Sequence, residues 1–425
     1  MNVLVLGSGG REHALVRRLE QDPAVSAVVA APGNPGIARS VPVRLDDPRA
    51  VLALARSERI DLTVVGPEMP LVAGVADAFI AAGRAIVGPT AAAARLESSK
   101  AFAKAFMGRH GIPTARFLVA ASAADALDIV GQAPFGWPLV IKADGLAAGK
   151  GVVIAVDPGE AESAVRAAMI DRRFGDAGGQ VVFEECLTGP EVSVFALSDG
   201  RTARLLLSAQ DHKRAYDEDQ GPNTGGMGAF APSPLLTDGL ARRVMAGIVE
   251  PVIAGMRAEG HPYAGFLYAG LMLTPDGPKV IEFNARFGDP EAQVVLPALA
   301  GPLADVLLAA AEGRLAEAPA LEWNGRVFAG VVLASGGYPG AIATGLAIDG
   351  LEGFDGTGSA LVFHAGTAMK DGRVVTAGGR VLTVVGSGAS HRAAIDAAYA
   401  GVARITFDRM HFRTDIGRSA LSPEP

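Results

Sequence analysis

The sequence holds a single cysteine, Cys186, which excludes an intramolecular disulfide and a thiolate zinc cluster. Its seven histidines are scattered and form neither an HxH nor an HExxH pair, which argues against a histidine-based metal site. No apolar run approaches the roughly 18 residues of a membrane span; Val327–Ala334 is typical of the longest. Val3–Leu6 is too short for the core of a secretory signal, and Gly-Ser-Gly-Gly-Arg-Glu follows it at once. Basic residues are not in excess: 38 Lys and Arg against 45 Asp and Glu leave a net charge of −7, so the electrostatic footprint of a nucleic-acid binder is missing. The 54 glycines and 27 prolines among 425 residues stay below the roughly 25–30% that marks low complexity. The expectation is a soluble cytoplasmic protein with neither nucleic acid nor membrane as partner. At roughly 150 residues per domain it has about three domains.

Short apolar strands alternate with helical patterns through the first hundred residues, and Leu62–Val65 and Ala85–Val87 each end in Gly-Pro. Such alternation predicts a parallel, doubly wound sheet that binds ligands at the carboxyl ends of its strands. The loop Gly7-Ser8-Gly9-Gly10-Arg11-Glu12 lies between a strand and a helix, where backbone amides can face a phosphate. Glu12 replaces the third glycine of GxGxxG, and the second strand runs into Ala-Ala-Pro-Gly in place of a ribose-binding acid. Both departures argue against a dinucleotide site.

In the middle third, the strand Val140-Ile141-Lys142 runs into Ala-Asp-Gly-Leu-Ala-Ala-Gly-Lys-Gly before a second strand, Val152–Val156. A loop carrying Gly145, Gly149 and Gly151 can fold over a polyphosphate, with Lys142 and Lys150 neutralising charge. It is no Walker loop, because Ser or Thr does not follow the lysine and no helix comes next. An acidic connector, Glu184-Glu185-Cys186-Leu187 to Glu191, lies between two apolar strands and could meet a purine edge and a ribose. Along Lys279–Arg286, period-two alternation predicts Val280, Glu282, Asn284 and Arg286 on one face. A carboxylate and an amide oxygen two residues apart suit a hard cation bridging phosphates. The long polar stretch from Gln210 to Gly228, with Asp211 and Lys213, is read as a substrate loop.

Taken in order, MNVLVLGSGGREHAL, IDLTVVGPE, VIKADGLAAGKGV, FEECLTGPEVS, GPNTGGMGA and EFNARFGDPEAQ resemble the phosphoribosylamine–glycine ligases (glycinamide ribonucleotide synthetases), within the ATP-grasp superfamily. The likeness extends through SGGYPG and TAGGRVL near the carboxyl end. It implies an N-terminal α/β domain (1–100), a central ATP-grasp domain (101–325, with a lid subdomain at about 118–190) and a small β-rich C-terminal domain (326–425). It implies ATP-dependent joining of glycine to 5-phosphoribosylamine through glycyl phosphate, the second step of de novo purine synthesis.

The resemblance also assigns roles by position. Lys104 and Lys142 would bind phosphates, with Lys142 and Arg286 in the catalytic set, and Gly145–Gly151 would form the lid loop. Glu184, Glu185 and the Leu187 backbone would hold adenine, and Glu191 the ribose. Glu282 and Asn284 would ligate Mg2+ or Mn2+. Asp211 and Arg286 would hold glycine, with Lys213 also at the substrate, while Gly9, Gly10 and Arg11 would help bind phosphoribosylamine. On this reading Glu282→Ala leaves the fold intact and nearly abolishes ATP turnover; wild-type glycine-dependent ADP release from that variant would refute the metal role.

Overall fold

The computed structural model describes residues 1–146, 151–354, 356 and 358–421. Four parallel strands, β1 (Asn2–Gly7), β2 (Ala27–Pro32), β3 (Leu62–Val65) and β4 (Ala85–Val87), form a sheet in the order β2-β1-β3-β4. Val3–Leu6 is fully buried, as expected of a parallel strand covered on both faces. The chain leaves β1 toward one side and returns to the other, so the topological switch lies between β1 and β3, where ligands bind in such sheets. The loops at that point are Gly7–Gly10 and Gly66–Glu68.

The helix α1 (Gly10–Glu20) starts there. Its first turn is closed by Glu12, whose Oε2 accepts from the Gly9 amide at 2.6 Å while Oε1 meets Arg11 Nε at 2.6 Å. One helix-start amide is thus already answered by the chain's own carboxylate. The Glu12 side chain lies against Gly7 and Gly66, where an added Cβ would come within 2.5 Å and 2.1 Å of it. The sequence predicts one helix from about Ala91 to His110; the structure breaks it at Ser99, which is extended and caps Lys100–Arg109 by accepting from the Phe102 amide.

The lid region is an antiparallel sheet of β5 (Phe117–Ala120), β6 (Leu139–Ala143), β7 (Val152–Ala155) and β8 (Val181–Glu185), in the order β5-β8-β6-β7. Helices Ala123–Gln132 and Pro158–Val165 cover one face with a small apolar core. Next come β9 (Glu191–Asp199), β10 (Ala203–Asp211), the small hairpin β11 (Arg214–Tyr216) and β12 (Gln220–Asn223), then β13 (Gly228–Ala231), β14 (Ala264–Thr274) and β15 (Gly277–Asn284). A two-residue pair, β16 (Leu299–Ala300) and β17 (Glu322–Trp323), precedes β18 (Val327–Ala334), β19 (Ala360–His364), the hairpin β20 (Thr367–Lys370) and β21 (Arg373–Thr376), and β22 (Arg380–Gly388).

One sheet runs β15-β14-β9-β10-β13-β18-β22-β19. The strands read from sequence as a separate C-terminal domain therefore continue the central sheet, joined through β13, which pairs with both β10 and β18. Asp211 sits at that joint, opposite Ala229.

The register of β15 corrects one expectation. Gly270 pairs with Glu282 but the next residue, Leu271, pairs with Val280, so Ile281 is an extra residue. A bulge of this kind breaks the alternation. Val280 is fully buried in one cluster with Phe283 and Ala285, not on the Glu282 face as period two predicts.

Among the described residues no helix is long and apolar enough to cross a membrane. The packing of Glu12 gives a stability prediction. Gly66→Ala lowers stability by about 1–3 kcal/mol in urea unfolding, the range for overpacking a filled site, because Glu12 is fixed by Gly9 and Arg11. Gly108→Ala, in a helix with nothing within 4 Å of its added Cβ, shows no loss.

Candidate active site

Lys104, on the helix Lys100–Arg109, and Lys142, on β6, converge on Glu184 of β8, with Nζ–O distances of 2.7 and 2.9 Å. All three side chains are buried. Lys104 Nζ also donates to Thr114 Oγ1 at 2.7 Å, and that hydroxyl donates to the Val280 carbonyl at 2.7 Å. Lys142 Nζ reaches the carbonyl of the bulged Ile281 at 3.2 Å. The lid sheet and the central sheet therefore meet through lysines, with one carboxylate between two cations. The surplus positive charge suits a polyphosphate, whose oxygens can replace Glu184 as acceptors.

Glu185 accepts from Arg116 through its backbone N (3.1 Å) and Nε (2.7 Å), and Leu187 is half-buried on the connector. Cys186 is also half-buried and burial pushes its thiol up, so it stays protonated and inert. Glu191 is exposed and pairs with Lys213 at 2.5 Å, bridging the connector to the substrate loop. Gly145 accepts from Lys100 Nζ at 3.1 Å, and Gly151 is buried at the start of the returning strand. The predicted lid residues Gly149 and Lys150 lie outside the described residues.

Beyond the bulge, Glu282 and Asn284 share a face of β15 with period two intact. Burial raises the Glu282 carboxyl, but Lys213, Lys142, Lys100 and Arg286 together outweigh it and hold the group below the usual carboxylate range. Among the described residues no three His, Cys, Asp or Glu side chains are grouped to hold a metal by themselves. An ionised carboxylate and a carboxamide oxygen still fit a hard cation that takes its remaining ligands from phosphates and water.

Arg286 lies just past the strand end, its Nη2 2.9 Å from Glu97 and its Nε 3.3 Å from Glu68. Burial would lower its pKa, yet Glu97 and Glu68 more than offset this and keep it ionised. Asp211 is pushed up by burial against the pull of Lys213, with Glu191 and Glu282 adding to the rise. Burial with Asp211 nearby lifts Glu291 to about 8. These charges therefore act on one another in one region, as the sequence reading requires of Asp211, Lys213, Glu282 and Arg286.

The N-terminal loop is more occupied than its glycines suggest. Arg11 is buried, pairs with Glu12 and donates to the Phe287 carbonyl at 3.2 Å. It anchors the loop to the turn after Arg286. Gly9 and Gly10 flank it beside Asp289 and Gln293.

Four participants are missing from the sequence reading. Glu68 follows Gly66-Pro67 at the end of β3, and that position at a parallel strand's carboxyl end was the signal for it. Glu97 carries no local signal. Asp289 and Arg380 form a pair at 2.9 Å, and Arg380 also donates to the carbonyls of Asp289 (2.5 Å) and Gly225 (2.6 Å). A C-terminal strand thereby clips the glycine-rich loop 221–228 to the turn after Arg286.

Residues 1–97, 98–292 and 328–419 match the N domain, the ATP-grasp (A) domain and the C domain of phosphoribosylglycinamide synthetase, respectively. The chain belongs to the phosphoribosylglycinamide synthetase family. Proteins named phosphoribosylamine–glycine ligase from Xylella fastidiosa and Escherichia coli are 51% and 49% identical to it, over 100% of this chain and 99% and 100% of their own length. The crystal structure of the Thermotoga maritima phosphoribosylamine–glycine ligase superposes with a TM-score of 0.84 at 34% identity, covering 98% of this chain and 100% of that one. Biotin carboxylase from Campylobacter jejuni, at 15% identity and a TM-score of 0.71, covers 99% of this chain and 95% of its own; it shares the fold. In this synthetase-family chain the lysine pair makes a pH prediction. Burial pulls Lys104 down to about 8 despite the opposing Glu184, with Lys142 adding to the fall. A phosphate held by Lys104 would be held by its ammonium form, so affinity would then weaken as pH rises through 8. Calorimetry should show ATP binding about tenfold weaker at pH 9 than at pH 7, the change in the protonated fraction of one such group; Lys104→Met should flatten that dependence.

Proposed function

We propose that the chain is an ATP-dependent ligase that joins glycine to 5-phosphoribosylamine, giving glycinamide ribonucleotide, ADP and phosphate. The observation that carries this is the reach of Lys142, from the lid sheet, to the backbone of the strand bearing Glu282 and Asn284. A triphosphate held there has cations on one side and oxygen ligands on the other. The glycine carboxylate attacks the γ-phosphorus and expels ADP; the sugar amine then attacks the acyl carbon of glycyl phosphate, phosphate leaves, and the amine loses a proton. No enzyme nucleophile is needed. The chain supplies position and charge.

Lys104 and Lys142 hold the phosphates, and Arg286 holds the glycine carboxylate in line, with Asp211 taking the glycine ammonium and Lys213 beside it. Glu184, Glu185, the Leu187 backbone and Glu191 take the nucleoside. Gly9, Gly10 and Arg11 shape the phosphoribosylamine end. Mg2+ or Mn2+ on Glu282 and Asn284 would neutralise charge building on the transferred phosphate. The lid at about 118–190 closes to exclude water, to which an acyl phosphate is labile. The domains divide at about 100 and 325, and the enzyme works as a cytoplasmic monomer.

One assay tests the reaction. ADP release should require glycine and phosphoribosylamine together. Release with another carboxylate or amine would make the chain a different ATP-grasp ligase, and binding without turnover a regulator.

A further inference from the structure

Glu97 sits on the short helix Arg95–Ser98, 188 residues before the strand end it serves. It is buried, and its carboxylate meets three consecutive residues there. Oε2 accepts from the Ala285 amide at 2.7 Å. Oε1 pairs with Arg286 Nη2 at 2.9 Å and lies 3.1 Å from the Asn284 amide atom that the surrounding donors and acceptors assign as the nitrogen, which then donates to it. The second hydrogen of that amide goes to the Phe283 carbonyl at 3.2 Å, and the Asn284 oxygen turns toward donor groups.

An amide has a donating end and an accepting end of nearly equal shape, and only its surroundings decide which way it points. Both Glu97 oxygens already face donors, the Ala285 amide and Arg286, so the carboxylate presents acceptors only. With Glu97 on one side, the nitrogen must face it, and the oxygen is left for the opposite side. A hard cation binds oxygen and has no use for an amide nitrogen, whose lone pair is delocalised. We propose that Glu97 is a positioning residue that fixes the Asn284 amide with its oxygen toward the cation while holding Arg286 beside it. The inference rests on reading Glu282 and Asn284 as cation ligands.

Glu97→Gln keeps the shape and removes the acceptor-only character. A glutamine cannot accept from Ala285 at one end and from both Asn284 and Arg286 at the other. With its nitrogen toward residue 284, it turns the Asn284 oxygen inward and the nitrogen toward the cation. Asn284→Asp in that background accepts from the glutamine and still offers an oxygen outward.

The test is Mn2+ binding in the presence of a non-hydrolysable ATP analogue, followed by electron paramagnetic resonance of free Mn2+, with thermal melting of each variant. Glu97→Gln should weaken Mn2+ binding by about tenfold or more, the scale of losing a ligand's outer support. The double variant E97Q/N284D should return to within about threefold of wild type. A residue that only stabilises the fold would lower the melting temperature and leave Mn2+ affinity alone, and that result overturns the proposal. So does a loss that N284D fails to restore. If N284A itself leaves Mn2+ binding unchanged, the ligand assignment falls first, separately from Glu97.

Discussion

The half-buried guanidinium of Arg286 lies between Glu68 and Glu97, carboxylates from two separate segments of the N-terminal region. A charge shielded from water even in part is better matched than left unpaired. Matching it fixes where the N-terminal sheet stands against β15, and so where the glycine loop stands against the face bearing Glu282 and Asn284. Arg11 reinforces the same joint by donating to Phe287, next to Arg286. The site is therefore assembled across segments by ion pairing, with the apolar clusters behind it holding the frame.

What the sequence made legible were features with short-range signatures. Lys142 at the end of an apolar strand, Glu282 and Asn284 two residues apart, and the glycines of a β-hairpin all announce themselves within ten residues. The parallel N-terminal sheet was equally readable from its strand–turn–helix repeats. The bulge at Ile281 was not, because register depends on the partner strand, and Val280 went to the wrong face for that reason. Glu97 and Arg380 were invisible in principle: one acidic residue in a short helix and one arginine at a strand start look like surface charge until the fold brings them to their partners. The continuity of the C-terminal strands with the central sheet was hidden for the same reason.

Glu184 shows how one residue serves both the resting and the loaded protein. Two buried lysines without a counter-charge would repel each other and the folded state would suffer. The carboxylate between them holds the two cations in place, and the lysines' remaining hydrogens stay available for the proposed phosphate. Burial still pulls Lys104 down to about 8, with Glu184 opposing the fall and Lys142 adding to it.

The clip made by Arg380 has a meaning in time. β13 finds its second neighbour only in β18, about a hundred positions downstream, and the carbonyl of Gly225 finds its donor 155 residues on. Contacts so distant along the chain close late in folding. On the ribosome, the central strands and the lysine pair can form while the glycine-rich loop is still waiting for a partner that has not been translated. The clip on this loop can close only after Arg380 itself has been made.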